Sequence, residues 1–202
     1  MRVALIGAIG SAGSRILHEL VERGHQVTAI VRNPERVPAL PGVTAKQGDV
    51  LDQNQIANLV VGHAAVISAI HFTASGPRKL IGAVRQSGVS RCLVVGGAGS
   101  LEVAPSVRLI DTPRIPSAVK PEASAGMTFF QMLREEQQLD WTFLSPSVMF
   151  IPGTLTGQFR LGTDKLLSTE QGGSISFEDY AVALVDESET PRHARQRFTV
   201  GY

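Results

Sequence analysis

Apolar runs of strand length recur along this chain with segments of helical spacing between them, and this constrains the fold more than any other feature. The runs are residues 3–6, 27–31, 43–47, 64–70, 92–95 and 142–144. Strands without polar alternation are expected where both faces are covered, as in a parallel sheet flanked by helices. Alternating strand and helix predicts an α/β fold with a doubly wound parallel sheet.

The intervening segments carry helix signals. Residues 11–23 place Ile16, Leu17, Leu20 and Val21 on one face, and Gly24 follows as a stop. Asp52 and Gln55 have the spacing of a capping box before Ile56, Leu59 and Val60. Residues 76–88 align Leu80, Ile81 and Val84 and end at Gly88. A helix is expected over 120–138, with Pro121 in its first turn, Met127, Phe130 and Leu133 inward, and Arg134, Glu135 and Glu136 on a solvated face. Asp140-Trp141-Thr142 then opens a strand. Turns are expected at Gly153, Gly157, Gly162 and Gly172-Gly173, followed by a helix over 177–186 and a strand over 198–200. Without repeat or linker, residues 1–202 read as one domain with a short C-terminal extension.

Composition narrows the class. A chain of 202 residues, 43% hydrophobic and 18% charged, has ample apolar material for a core. Lys and Arg number 19 against 18 for Asp and Glu, so no basic footprint for nucleic acid is present. Cys92 is the single cysteine, which excludes an internal disulfide and fits a reducing cytoplasmic setting; its apolar surroundings suggest a buried thiol. The apolar stretch 59–70 is too short for a membrane span, and residues 1–6 lack a signal-peptide core.

The chemistry begins at Gly7-Ala8-Ile9-Gly10-Ser11-Ala12-Gly13, directly after the first expected strand and opening the first helix. Glycines in this context let the backbone turn tightly and approach a pyrophosphate, whose charge is met by amides at the helix N-terminus. At the end of the second strand the chain reads Val31-Arg32-Asn33-Pro34, without the acid that would accept from the ribose hydroxyls of NAD. A guanidinium there suits the 2′-phosphate of NADP, NAD remaining open; the competing reading makes Arg32 a solvated loop residue and gives the ribose to Asn33.

The Gly-x-x-Gly-x-x-Gly spacing, Gly48-Asp49-Val50, Val66-Ile67-Ser68-Ala69, Leu93-Val94-Val95-Gly96-Gly97-Ala98-Gly99, the segment from Leu139 to Pro146 and Ile175-Ser176-Phe177-Glu178-Asp179-Tyr180-Ala181 together resemble the atypical short-chain dehydrogenases. Within these Rossmann proteins the chain is similar to the NmrA-like NAD(P)H-binding family, and most to its NADH-flavin reductase group, over essentially its whole length. The resemblance implies Asp49 and Val50 beside the adenine, Ser68 and Ala69 along the linking ribose, and Gly96, Gly97 and Ala98 near the nicotinamide. These groups also fall just past the carboxyl ends of expected strands, where open α/β sheets bind ligands.

The Tyr-x-x-x-Lys device of the wider short-chain dehydrogenases is absent: Tyr180 and Tyr202 are the only tyrosines, and neither has Lys four positions on. Lys120 falls where the motif lysine would stand, with Pro116 in the tyrosine's place; it either approaches the nicotinamide ribose or starts a solvated helix. Alcohol and ketone substrates need a positioned acid or base, whereas flavins and quinones accept hydride into a conjugated system and take their proton from water. The expected activity is NAD(P)H-dependent hydride transfer to a small flavin or quinone acceptor, with flavin as substrate and not as a held cofactor. His71 and Ser100 are candidates for the acceptor pocket or the proton donor, each with a solvated alternative. The other function class is a non-catalytic NADP(H) sensor of NmrA type. Neither metal, nucleic acid nor membrane is expected, and the chain is expected to act as a monomer or homodimer.

Overall fold

The computed structural model describes residues 1–168 and 173–202, so the turn expected at Gly172 lies outside the described residues. The chain runs β1 (Arg2–Ile6), α1 (Ser11–Glu22), β2 (Gln26–Val31), β3 (Val43–Gln47), α2 (Gln53–Val60), β4 (Ala65–Ser68), α3 (Phe72–Ser75), α4 (Pro77–Ser87) and β5 (Arg91–Val95). It continues through β6 (Glu102–Ala104), β7 (Val107–Arg108), α5 (Lys120–Glu135), β8 (Asp140–Pro146), β9 (Met149–Ile151), β10 (Arg160–Gly162), β11 (Ser174–Ser176), α6 (Phe177–Glu189) and β12 (Gln196–Gly201).

The main sheet has the order β10-β12-β8-β5-β4-β1-β2-β3. Its pairs are parallel except at the edge, where β10 runs antiparallel to β12. The chain winds outward from β1 to β3 and then returns to place β4 on the other side of β1. That reversal opens a crevice beyond the carboxyl ends of β1 and β4, where doubly wound sheets bind ligands.

Two cores hold the helices on the sheet. Ile16, Leu17 and Leu20 of α1 meet Leu184 and Val185 of α6 over Leu5, Ile67 and Leu144. On the other face Ile56, Leu80, Val84, Phe129 and Leu133 cover Ile6, Val66 and Phe143. The central strands are buried on both faces, whereas β3 is an edge strand with Thr44, Lys46 and Gln47 exposed. The expectation of two covered faces therefore fails at residues 43–47.

Helix α5 corrects the sequence reading in phase and length. It buries Gly126, Phe129 and Leu133, leaving Met127 and Phe130 half-buried. Phe130 still packs partly inward, its ring centre 5.1 Å from that of Phe143 and 6.2 Å from that of Trp141, with the Arg197 guanidinium 4.5 Å over its ring centre. The helix stops at Glu135, and Glu136 is buried rather than solvated: its carboxylate accepts from the Gln138 amide at 2.6 Å and lies 3.6 Å from Arg85. Elsewhere β4 ends at Ser68 rather than residue 70, and a short turn of helix, α3, carries Phe72 into the core. Gly162 sits in β10 rather than in a turn, while Gly157 does turn, at φ +67°.

Candidate dinucleotide site

The three loop glycines do different work. Gly7 follows β1 with φ +88°, and a Cβ there would lie 2.6 Å from the Ala69 carbonyl oxygen, so the loop after β1 touches the end of β4. At Gly13 a Cβ would lie 2.1 Å from the Gly7 oxygen, which lets α1 press onto its own loop. Gly10 is different: a Cβ would meet nothing closer than 3.5 Å. The protein's own packing does not require glycine at position 10, and the space its side chain would take opens to the crevice.

Gly10 is also the N-cap of α1 and offers no side-chain acceptor. The first amides of that helix, at Ser11, Ala12 and Gly13, lie beyond the reach of the i→i−4 ladder at the positive end of the helix dipole, just past Gly10, although these three residues are not themselves in the cleft lining. An oxyanion fits this cradle.

A cleft of about 600 Å³ extends from here across the ends of β1, β2 and β4. Gly7, Ile9, Gly10, Arg32, Asn33, Asp49, Val50, Ala69 and His71 all line it. Arg32 and Arg36 are both exposed and, among the described residues, neither has an ion-pair partner. Arg36 escaped the sequence reading. The signal was the Pro34-Glu35-Arg36 segment, which forms one turn of 3-10 helix and returns the side chain to the cleft beside Arg32. Asp49 shapes its own turn, its carboxylate accepting from the Leu51 amide at 2.9 Å. The expected capping box is half formed: Asp52 accepts from the Gln55 amide, but the Gln55 side chain accepts from the Asp49 amide instead of that of Asp52.

Other expected site residues lie elsewhere. Ser68 is buried inside β4 and does not line the cleft. Gly96 is demanded by packing, since a Cβ would fall 2.5 Å from the Leu144 oxygen. Gly97 and Ala98 are half-buried beyond β5, outside the cleft lining. Lys120 starts α5 and is exposed, also outside that lining. Ser100 accepts from the Arg197 guanidinium at 2.7 Å and faces a different cavity, with Arg134 and Trp141. His71 stands at the cleft rim with its Nδ1 3.4 Å from a Glu122 carboxylate oxygen.

Neither tyrosine is placed as an acid. Tyr180 is buried, donates to the Leu144 oxygen at 2.7 Å and accepts from the Gly96 amide, and burial holds its hydroxyl far above the usual range. Tyr202 donates to Asp179 at 2.6 Å. Burial pushes the Cys92 thiol up to about 12, which makes it a core residue and not a nucleophile. No group of His, Cys, Asp and Glu among the described residues could hold a metal, and no described helix is long and apolar enough to cross a membrane.

This fold, with its glycine loop at the switch point, defines a dinucleotide-binding α/β protein. The profile of the NAD(P)H-binding family matches residues 7–191, and the chain belongs to that family. It is 40% identical to the uncharacterised protein YwnB of Bacillus subtilis (strain 168), with 99% of this chain and 98% of YwnB covered. Among solved structures it is similar to one named a "putative exported protein" of Burkholderia pseudomallei, at 44% identity and TM-score 0.90, with all of both chains covered. It is also similar to a "putative NADH-flavin reductase" of Streptococcus pneumoniae TIGR4, at 37% identity and TM-score 0.85, over 100% of this chain and 99% of that one. The chain thus has the sequence and fold of an NAD(P)H-binding, oxidoreductase-like protein.

Proposed function

We infer that this protein binds NADPH and passes its hydride to a diffusible flavin or quinone. The observation that carries the reading is the pairing of an open Gly10 cradle with unpartnered Arg32 and Arg36 across one cleft. The pyrophosphate would lie on the amides opening α1, and the 2′-phosphate between the two guanidiniums, each able to give forked, charge-assisted hydrogen bonds. Asp49 and Val50 would flank the adenine. The bound cofactor would supply hydride from its nicotinamide.

The chain's part is then orientation and exclusion of competing chemistry. With Tyr180 sealed in the core and Tyr202 tied to Asp179, no phenol stands ready to protonate an alcohol oxygen. Conjugated acceptors, which need less help from a protein acid, suit such a site, and the name of the streptococcal neighbour agrees. The deciding experiment follows NADPH oxidation with FMN, riboflavin and menadione as acceptors, beside calorimetric titration of NADPH. Tight binding with turnover supports the reading. Tight binding without turnover on any acceptor replaces it with a dinucleotide sensor.

A further inference from the structure

We propose that His71 and Glu122 form a proton-delivery pair at the acceptor side of the cleft, His71 as the donor to a reduced quinone and Glu122 as its positioning residue. The inference rests on the reductase reading above.

The geometry brings three segments together. The loop after β4 carries His71, the loop after β5 carries Gly97, and α5 carries Glu122 in its first turn. A Cβ on Gly97 would lie 3.3 Å from the Phe72 ring, and one on Gly99 would lie 3.0 Å from Ala123, so these segments meet beyond the ends of β4 and β5. His71 therefore occupies the edge of the cleft on the side away from Arg32 and Asn33, at the end that the nicotinamide would reach in a dinucleotide laid with its 2′-phosphate on Arg32.

Glu122 is fixed before it ever meets His71. Its Oε1 accepts from the Phe72 amide at 2.6 Å, and its Oε2 accepts from the Thr73 amide at 3.0 Å and the Thr73 hydroxyl at 2.8 Å. Burial opposes its charge, yet these hydrogen bonds, with His71 nearby, hold its carboxyl below the ordinary range. The carboxylate thus stays ionised and immobile. His71 lies 3.4 Å away through Nδ1, leaving Nε2 as the free nitrogen, and its side chain is 87% exposed to solvent. Asp49, Arg32 and Arg36 are the other charged groups sharing the cleft. The contact is one of charge and proximity: the fixed carboxylate attracts the protonated ring and turns Nδ1 toward itself, leaving Nε2 outward.

In the step assigned to it, His71 acts as the imidazolium, with Nδ1–H facing Glu122 and Nε2–H facing the acceptor, and gives the Nε2 proton to the quinone oxygen on which charge builds as hydride arrives from the dihydronicotinamide. The Nε2–H bond breaks and an O–H bond forms. The quinone is reduced, the nicotinamide is oxidised, and water returns a proton to the exposed imidazole.

The test uses the full-length protein with NADPH and either menadione or FMN, because hydride transfer to a flavin leaves an anion that persists in neutral water. His71→Ala should lower kcat with menadione at least tenfold, within the range of general acid catalysis. The loss should be clearly larger with menadione than with FMN, and free imidazole should restore part of the menadione rate. Glu122→Gln should lower the menadione kcat with KM unchanged. In the unloaded protein, long-range 1H–15N spectra should show His71 ring-nitrogen shifts that move in Glu122→Gln. Wild-type turnover with menadione that His71→Ala leaves intact, a loss equal for both acceptors, or a His71 spectrum indifferent to Glu122 overturns the pair alone. A wild-type protein that binds NADPH and reduces neither acceptor overturns the reductase reading and the pair together.

Discussion

Gly13 is pressed so closely on Gly7 that a Cβ built on it would lie 2.1 Å from the Gly7 carbonyl oxygen. That contact belongs to the fold, because it seats α1 on the end of β1 whether or not a ligand is present. Gly10, between them, has no such obligation. The glycine loop therefore separates into positions required for folding and one available for binding.

Mutations at these positions should divide the same way. Gly13→Ala forces backbone apart and should cost about 3 kcal/mol, the upper end of overpacking, which for a chain of this size is roughly 10 °C in Tm. Gly10→Ala places its Cβ in ordinary contact and should shift Tm by no more than about 2 °C. Gly10→Ala and the bulkier Gly10→Val should each weaken NADPH binding at least tenfold in calorimetric titration, with Val the worse. Wild-type affinity in Gly10→Val would place the pyrophosphate elsewhere.

Cofactor choice is predicted to sit on Arg32 and Arg36. A hydrogen bond to a charged group contributes about 1.5 to 3 kcal/mol, so Arg32→Ala should weaken NADPH roughly 10- to 100-fold and leave NADH nearly unchanged. Arg36→Ala should act in the same direction, and the double variant should bind both dinucleotides alike. Equal losses for NADH and NADPH in Arg32→Ala would remove the case for the 2′-phosphate.

Much of this molecule was legible in its sequence because buried parallel strands and helix stops leave strong local signals. The runs at Val3 and Val27, the end of α1 at Gly24 and the end of α4 at Gly88, with φ +77°, needed no tertiary context. Phase within α5 did need it: which side of that helix faces inward depends on Phe72 of α3, far back in the chain, and Gly126 makes room for it, a Cβ there falling 2.8 Å from that ring. That Arg32, Asn33, Asp49 and Val50 share one cleft was legible for the same local reason as the glycine loop, since each follows a recognisable strand. Arg36 and Glu122 were not, since each acquires its place only when a turn of helix meets a distant loop.

Tyr180 is predicted to matter for packing and not for turnover. Tyr180→Phe leaves the Gly96 amide and Leu144 oxygen bonded to each other at 2.8 Å, so the loss should be near 1 kcal/mol of stability, read as a lowered urea midpoint. Its rate with menadione should stay within twofold of wild type. A hundredfold fall in a folded variant would show that a tyrosine acid had been misread as structural.

The last prediction concerns acid. Asp179 is buried beneath the loop joining β9 to β10, where its carboxylate accepts from the Thr156 amide and hydroxyl, the Gly157 amide and the Tyr202 hydroxyl. Burial alone would raise its pKa, but the hydrogen bonds from Thr156, Tyr202 and Gly157 outweigh it and hold the carboxyl below the ordinary aspartate range. A group whose folded pKa lies below its unfolded value of about 3.9 stabilises the fold above that pH, and the contribution disappears as pH falls through the folded value. Asp179→Asn should therefore be less stable than wild type at pH 7, by about 2 kcal/mol, because an amide cannot accept from all of these donors. The gap should narrow as the pH is lowered from about 5 toward 2. Urea unfolding at a series of pH values measures this directly, and a gap that stays constant or widens in acid would mean that Asp179 does not carry its charge in the folded protein.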